Sequence, residues 1–371
     1  MPHPARREYI ARQREAHGRR AVAVLPIHYP KEILTALEVL AVEIWGPPGP
    51  PRSDQAGRIQ SYVCSVARNA LAFLASGGAD SVDGVLFPHT CDSIQGLATL
   101  ATDFGGWKKK AFTFIHPKGP ARASARAFVG REMRSLGQEL SELAGARLEP
   151  ERLARAIALH RRIDARRAEL LDARARLPLS DPELYALLRR GEWLWPEDHL
   201  AELEAASALL AQAPVQSGVP VLVTGYVPEP LSTLEILNRA GAYAAADDYA
   251  AVGRRVVRGG REGAGGGDPW EELLDRYWSA PPCPTRCADQ DLRLRHLEGL
   301  QERSGARGAL LHLVKFCEPE AFDAPAIRRA FASKGIPVLE LEGELERELS
   351  GQAVTRIEAF VEMLGGPRRP A

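Results

Sequence analysis

The sequence predicts an α/β protein in which two α/β domains are separated by a helical segment. Short apolar runs alternate with helical stretches in residues 21–115 and again in residues 219–364, which is typical of βαβ units and a parallel sheet. Residues 121–212 contain no strand-like run and are rich in Ala, Leu, Arg and Glu. We therefore divide the 371 residues into an N-terminal domain (1–120), a helical segment (121–215) and a C-terminal domain (216–371).

Composition limits the functional class of the protein. Apolar residues make up 45% of the chain, which indicates a globular protein. The 48 basic and 48 acidic residues balance, so nothing points to nucleic acid or an anionic membrane. Residues 1–20 are polar and Arg-rich, and no run approaches the ~18 apolar residues of a membrane helix. We expect a cytoplasmic protein, whose five cysteines are not structural disulfides.

In the N-terminal domain, apolar runs predict strands and amphipathic stretches predict helices. After a helical or loose arm (1–20), a strand is expected at 21–25, a helix from Pro30, a strand at 39–45, a loop at 46–51, a helix at 59–74, a strand at 85–87, a helix at 92–102 and a strand at 111–115. Pro30 suits the first turn of its helix, and the prolines of residues 46–51 exclude both helix and ladder there. Cys64 falls in the early part of helix 59–74, and Cys91 follows strand 85–87.

The rest of the chain contains the helical segment and a second α/β pattern. The helical segment predicts three or four helices, and the α/β pattern predicts strand 219–225, a helix after Pro228, strand 241–248, helix 270–278, an extended stretch at 281–284, helix 289–303, strand 309–316, helix 324–334, strand 336–341 and helix 352–364. The glycines of residues 263–267 lack the ending of a phosphate loop, so this chain is not expected to bind ATP.

Cysteines at strand ends are the main functional clue. Cys91 and Cys317 each follow a predicted strand, one in each domain, where open α/β sheets bind their ligands. The start of a helix favours a thiolate at Cys91, and Cys317 is expected in a loop outside the core. Together with Cys64, these thiols suit an iron–sulfur cluster with one open iron, zinc with an open position, or ordinary buried cysteines.

Four stretches of the chain resemble, in order and spacing, the D-component family of 2-hydroxyacyl-CoA dehydratases. This family also contains the cluster-bearing subunits of ATP-dependent benzoyl-CoA reductases. The stretches are a strand–turn–helix ending in Pro30 and Glu32, residues 83–93 with Cys91, residues 316–319 with Cys317, and residues 355–360. The resemblance extends over about residues 20–365.

The resemblance implies two flavodoxin-like, doubly wound α/β domains with a helical part. It implies a 4Fe–4S cluster held by Cys64, Cys91 and Cys317, which passes a low-potential electron to an acyl-CoA or aryl-CoA substrate. It also implies a heterodimer with a homologous subunit and a separate ATP-hydrolysing iron–sulfur activator. The chain is then an enzyme subunit of dehydratase or benzoyl-CoA reductase type. The alternative is a non-catalytic electron-relay or structural subunit of such a complex.

Other residues have a functional and a plain interpretation. His89 either donates a hydrogen bond or a proton near the cluster, or is a satisfied histidine at a strand end. Glu32 either lines the site or sits in a first helical turn for its dipole. Lys108–Lys110 either contact the CoA phosphates or form a solvated face. Cys283 is expected to be structural, and Cys287 has no assigned role.

Overall fold

The computed structural model of the protein describes residues 5–47, 59–119, 121–211, 217–258, 267–286, 288–345 and 348–366. The strands are β1 (Arg20–Val24), β2 (Val39–Glu43), β3 (Gly84–His89), β4 (Lys110–Ile115), β5 (Val219–Gly225), β6 (Ala242–Tyr249), β7 (Gly308–Val314) and β8 (Val338–Gly343). The helices are α1 (Arg6–His17), α2 (Lys31–Ala36), α3 (Ser65–Ala75), α4 (Asp92–Thr99), α5 (Ala123–Ala144), α6 (Pro150–Asp172), α7 (Asp181–Arg189), α8 (Pro196–Ala208), α9 (Ser232–Arg239), α10 (Pro269–Trp278), α11 (Gln290–Ser304), α12 (Glu318–Ser333) and α13 (Gly351–Met363).

The strands form two parallel sheets with the same topology. The first has the order β2-β1-β3-β4 and the second has the order β6-β5-β7-β8. All pairs within the two sheets are parallel, from β1–β2 to β7–β8. The strand order therefore changes direction between β1 and β3 in one sheet and between β5 and β7 in the other. This confirms the prediction of two flavodoxin-like α/β domains.

Buried side chains cover both faces of each sheet. Val85 and Phe87 of β3 pack into a core that also includes Val221 and Val223 of β5, so the two sheets share one apolar core. Leu86, between the first two in sequence, lies in a second core with α2, α5, α6 and α10. Such alternation follows from the two-residue period of a strand, and burial on both faces is usual for parallel sheets.

The helical segment of residues 121–215 contains the four helices α5–α8 within its described part. The residue bounds of the three predicted divisions remain a prediction. Helix α10, which lies beyond the segment in sequence, packs with α5 and α6 through Leu273, Leu274 and Tyr277. The C-terminal part of the chain thus contributes to the core beneath the first sheet.

Two helices begin at different residues from those predicted. Helix α3 starts at Ser65 rather than near residue 59, because the preceding residues form a turn in which the Val63 amide donates to the Gln60 carbonyl over 3.1 Å. Helix α12 starts at Glu318 rather than at residue 324, since Pro319 fits the first turn, where its missing amide is not needed. Most of the predicted loop 46–51 and glycine run 263–267 lies outside the described residues.

No helix in the described ranges combines the length and the apolar character that crossing a membrane requires.

Candidate functional site

Three cysteines occupy the same local position, the N-cap residue just before the first turn of a helix, although none of their side chains makes a capping hydrogen bond. Cys64 caps α3, Cys91 caps α4 and Cys317 caps α12. Because α4 follows β3 and α12 follows β7, Cys91 and Cys317 lie outside the carboxyl ends of the two sheets. Those ends adjoin the points where the strand order changes direction, which are the usual ligand sites of open α/β sheets. Cys64 was predicted inside its helix and instead caps it.

The capping thiols lie in the same part of the core as Tyr226, the first residue after β5. Burial raises the pKa of the Tyr226 hydroxyl well above its ordinary value, and charges on Cys91, Cys317, Cys64 and Cys283 raise it further. The thiols of Cys64 and Cys91 also raise the pKa of Cys317. Cys64, Cys317 and Tyr226 also belong to the apolar core shared by the two sheets, and Cys91 packs against it, so the three predicted cysteines lie in one region of the fold.

Burial governs the acidity of these thiols. It raises the pKa of Cys64 to about 11 and also raises the pKa of Cys91, although backbone amides at the helix starts act in the opposite direction. Burial, and to a smaller extent the charge of Glu320, raises the pKa of Cys317 well above its ordinary value. The amides of the helix start favour a thiolate at Cys91, as predicted, but burial outweighs them in the free protein, and the pKa of Cys91 is raised overall. A bound metal would deprotonate these thiols.

The position of Cys317 differs from the predicted loop outside the core. Its side chain is only 8% exposed and belongs to the core shared by the two sheets. The residue before it, Phe316, has a φ of 64°, which a bulky side chain rarely adopts. Strained turns of this kind are often found at functional sites.

Several buried polar atoms beside the thiols have no hydrogen-bond partner within the described chain. They are His89 Nε2, Thr90 Oγ1 and Trp45 Nε1. His89 and Thr90 precede Cys91 directly, and the Trp45 ring contacts Tyr226 edge-on at 5.4 Å. Burial lowers the pKa of His89, so its ring is neutral near pH 7. His89 is therefore not the fully satisfied histidine of the plain interpretation, and its catalytic role remains a prediction.

Glu32 lies in a different feature, a cavity of about 100 Å³ beyond the carboxyl ends of β1 and β6. We call this feature the basic cavity, because its lining includes Lys31, Arg167, Arg254, Arg255, Arg276 and Arg286. Glu32 accepts a hydrogen bond from Arg276 Nε over 2.6 Å. Although burial opposes ionisation, Arg276 and His160 hold the pKa of Glu32 below its ordinary value. Glu32 is thus an ionised, paired side chain, and its catalytic role stays untested.

Cys283 lies between the basic cavity and Tyr226. It is fully buried, with its Sγ 3.1 Å from Thr285 Oγ1 and 3.5 Å from Arg254 Nη1. These contacts suit the structural role expected for it, whereas Cys287 lies outside the described residues.

Lys108–Lys110 lie at the amino end of β4, whereas Cys91 follows the carboxyl end of the neighbouring strand β3. The lysines are therefore at the opposite end of the strands from the thiol. The Lys109 ammonium donates to the carbonyls of Asp80 and Val82 over 2.6 Å each.

Sequence reasoning missed two side chains of the thiol site. Lys118 donates to the Thr90 carbonyl, and its charge opposes the rise that burial causes in the pKa of Cys91. Tyr226 directly follows strand β5 as Cys91 follows the predicted strand 85–87, and this position after a strand could have identified Tyr226 from the sequence.

Across the described residues, no group of three or more His, Cys, Asp or Glu side chains could hold a metal ion as it stands. A cubane cluster binds each thiolate through a different iron, so its ligands need not converge on one point.

Comparisons with known proteins agree with the resemblance noted in the sequence. The model of the family described as 2-hydroxyglutaryl-CoA dehydratase, D-component, matches residues 26–364. The beta subunit of lactoyl-CoA dehydratase from Anaerotignum propionicum is 27% identical, with 94% of this chain and 92% of the relative covered. The beta subunit of (R)-2-hydroxyglutaryl-CoA dehydratase from Acidaminococcus fermentans is 24% identical, with 94% of both covered. A benzoyl-CoA reductase subunit from Thauera aromatica is 25% identical, with 88% of this chain and 86% of the relative covered.

Proposed function

The chain belongs to the 2-hydroxyglutaryl-CoA dehydratase D-component family, and we propose that it is the iron–sulfur subunit of an ATP-dependent acyl-CoA enzyme. Relatives named as subunits of lactoyl-CoA dehydratase and of benzoyl-CoA reductase cover most of the chain. The proposed enzyme is accordingly of 2-hydroxyacyl-CoA dehydratase or benzoyl-CoA reductase type, and its substrate is an acyl-CoA or aryl-CoA.

The convergence of three capping thiols at the junction of the sheets carries this proposal. Cys64, Cys91 and Cys317 would hold a 4Fe–4S cluster, and Tyr226 lies among them. When bound, the cluster would supply a low-potential electron and an open, Lewis-acidic iron to the thioester. Buried polar atoms without partners beside the thiols, such as Trp45 Nε1, fit a further group at this place.

The side chains around the thiols would protect and orient this chemistry. Cys64 and Cys317 are buried, and the shared apolar core around them excludes the water that would quench a radical. Neutral His89, whose Nε2 has no partner in the described chain, would donate a hydrogen bond to a cluster sulfide or to the substrate. Lys118 would provide positive charge beside Cys91.

Partner proteins are part of the proposal. The relatives are named as subunits of their enzymes, two of them as beta subunits, which supports a heterodimer with a second, homologous subunit. A separate ATP-hydrolysing iron–sulfur activator would deliver the electron. The four described cysteines are free thiols, which agrees with a reducing, cytoplasmic location.

Anaerobic purification followed by iron and acid-labile sulfide analysis tests the cluster assignment. We expect iron and sulfide in the wild-type protein and a large loss of both in each of Cys64→Ser, Cys91→Ser and Cys317→Ser. Cys283→Ser is the matched control, since it replaces a buried thiol with no assigned ligand role, and it should retain iron. Far-ultraviolet circular dichroism separates loss of iron from loss of fold. A wild-type protein without iron, or equal iron in all four variants, would refute the assignment.

A further inference from the structure

The basic cavity contains residues from three distant parts of the chain. Lys31 comes from the start of α2, Arg167 from α6, and Arg276 and Arg286 from α10 and the stretch after it. Arg254 follows β6 in the second sheet. Cations from both α/β domains and from the helical segment thus line one cavity, and its shape depends on the packing of these distant parts of the chain.

Most of these cations are neutralised by buried carboxylates. Lys31 Nζ and Arg255 Nη2 lie 2.6 Å and 2.8 Å from the Glu43 carboxylate, respectively. Arg276 pairs with Glu32 and also with Asp164.

Arg254 is neutralised in the same way. It pairs with Asp248 over 3.1 Å and also with Glu320. These pairs explain why the chain tolerates so many buried cations at one place.

Arg167 and Arg286 differ from the other cations, because neither forms a salt bridge with any described residue. Each is only 9% exposed, and the Nε of each is buried without a hydrogen-bond partner. Arg286 is held by the carbonyls of Tyr277 and Ala280 at 3.0 Å and 2.9 Å, and Arg167 by the Leu188 carbonyl at 3.2 Å. Asp164, which also lines the cavity, acts on Arg167 electrostatically without a direct salt bridge. A buried guanidinium without a directly paired anion is costly, and an anion in the cavity would supply that contact.

The backbone beside the cavity is strained. Ile27 and His28, just after β1, have φ values of 65° and 55° in the left-handed region, which is unusual for a β-branched residue such as Ile27. The turn brings His28 to the cavity, where its Nε2 lies 3.0 Å from Thr285 Oγ1. Strain of this kind is commonly retained at binding sites.

Contacts connect the basic cavity with the thiol site. The Thr285 hydroxyl that meets His28 also lies 3.1 Å from Cys283 Sγ. Cys283 in turn belongs, with Tyr226, Cys64 and Cys317, to the core shared by the two sheets. A ligand bound in the cavity would therefore lie close to the proposed cluster.

We propose that the basic cavity binds an oxyanion, either a phosphate or a carboxylate, through Arg167 and Arg286. Planar guanidinium groups suit these anions because they donate paired hydrogen bonds. The identity of the ligand rests on the proposed function: the anion belongs to the acyl-CoA, either as a CoA phosphate or as a carboxylate of the acyl group. The cavity thereby anchors the substrate beside the thiols.

Isothermal titration of the full-length, anaerobically purified protein tests this site. The probes are inorganic phosphate, CoA, pantetheine, which lacks phosphate, and glutarate. We expect binding of phosphate and CoA but not pantetheine if the source is CoA, and binding of glutarate if the source is the acyl group. Arg167→Gln and Arg286→Gln should each weaken the binding by about tenfold or more. The control Arg126→Gln removes a partly exposed arginine that pairs with Glu271, and it should bind as the wild type does.

The glutamine variants are expected to fold, because neither substitution leaves a carboxylate unpaired. If one does not fold, the corresponding lysine variant retains the charge without the paired donors and should bind several-fold more weakly than the wild type. Failure of the wild-type protein to bind any of the anions, or wild-type affinity in the variants, would overturn the site. Iron analysis of the same samples reports the proposed function separately. A protein without iron that binds phosphate through both arginines would refute the cluster and retain the anion site.

Discussion

Replacement of Asp248 by asparagine is expected to lower the free energy of unfolding by about 3–5 kcal/mol. Asp248 lies in β6 and is fully buried. Its carboxylate accepts from Thr224 Oγ1 over 2.6 Å, from Arg293 Nη1 over 2.7 Å and from Arg254 Nε over 3.1 Å. His296 Nε2 lies 3.3 Å away. The substitution leaves two buried arginines short of a counter-charge, which is the origin of the magnitude.

The same ion pairs predict how the loss depends on pH. Although burial opposes ionisation, Arg254 and Arg293 hold the pKa of Asp248 well below its ordinary value. An acid whose pKa is depressed by folding contributes stability above its unfolded pKa of about 3.9, and this contribution is lost as the pH falls further. The wild-type protein should therefore lose stability below about pH 4 more steeply than Asp248→Asn.

Urea unfolding followed by circular dichroism at pH 7, at pH 4 and at a lower pH measures both effects. Asp172→Asn is the matched control, since it removes an aspartate that pairs with Arg258 at the surface. Exposed pairs contribute about 1 kcal/mol or less, so the control should unfold close to the wild-type midpoint. If Asp248→Asn loses no more stability than Asp172→Asn, the reasoning from buried ion pairs is wrong.

Two other substitutions test neighbouring features. Burial raises the pKa of Asp247 to about 7, so the native state retains a proton that the unfolded state loses between about pH 4 and pH 7. The wild-type protein therefore becomes less stable as the pH rises from about 4 to about 7. Asp247→Asn should remove this loss and give a higher urea midpoint than the wild type at pH 8. An unchanged pH dependence would contradict the raised pKa of Asp247. Gly225→Ala would place a Cβ 2.1 Å from the His312 carbonyl oxygen, whereas a Cβ at Gly343 meets no atom of the described residues within 4 Å. We expect a melting temperature lowered by several degrees for Gly225→Ala and little change for Gly343→Ala, and equal melting temperatures would refute the clash.

Local patterns predicted most of the fold. Apolar runs such as residues 219–225 locate the strands because strands buried on both faces need continuous apolar side chains. Parallel topology then places the residues after β3 and β7 at the carboxyl edges of the sheets, so Cys91 and Cys317 were identifiable from the sequence. The start of α3 could not be located from the sequence, because the polar residues before Cys64 suit both a turn and a helix.

The sequence by itself determined the α/β class, the repeated strand–cysteine–helix pattern and the family. Only the tertiary structure decided that the capping thiols lie in one region with Tyr226 and that Arg167 and Arg286 line one cavity without a salt bridge to any described residue. The physical reason is distance along the chain. Helix and strand patterns record hydrogen bonds and burial within a few residues, whereas charge pairing and thiol proximity depend on how two sheets and the helical segment pack together.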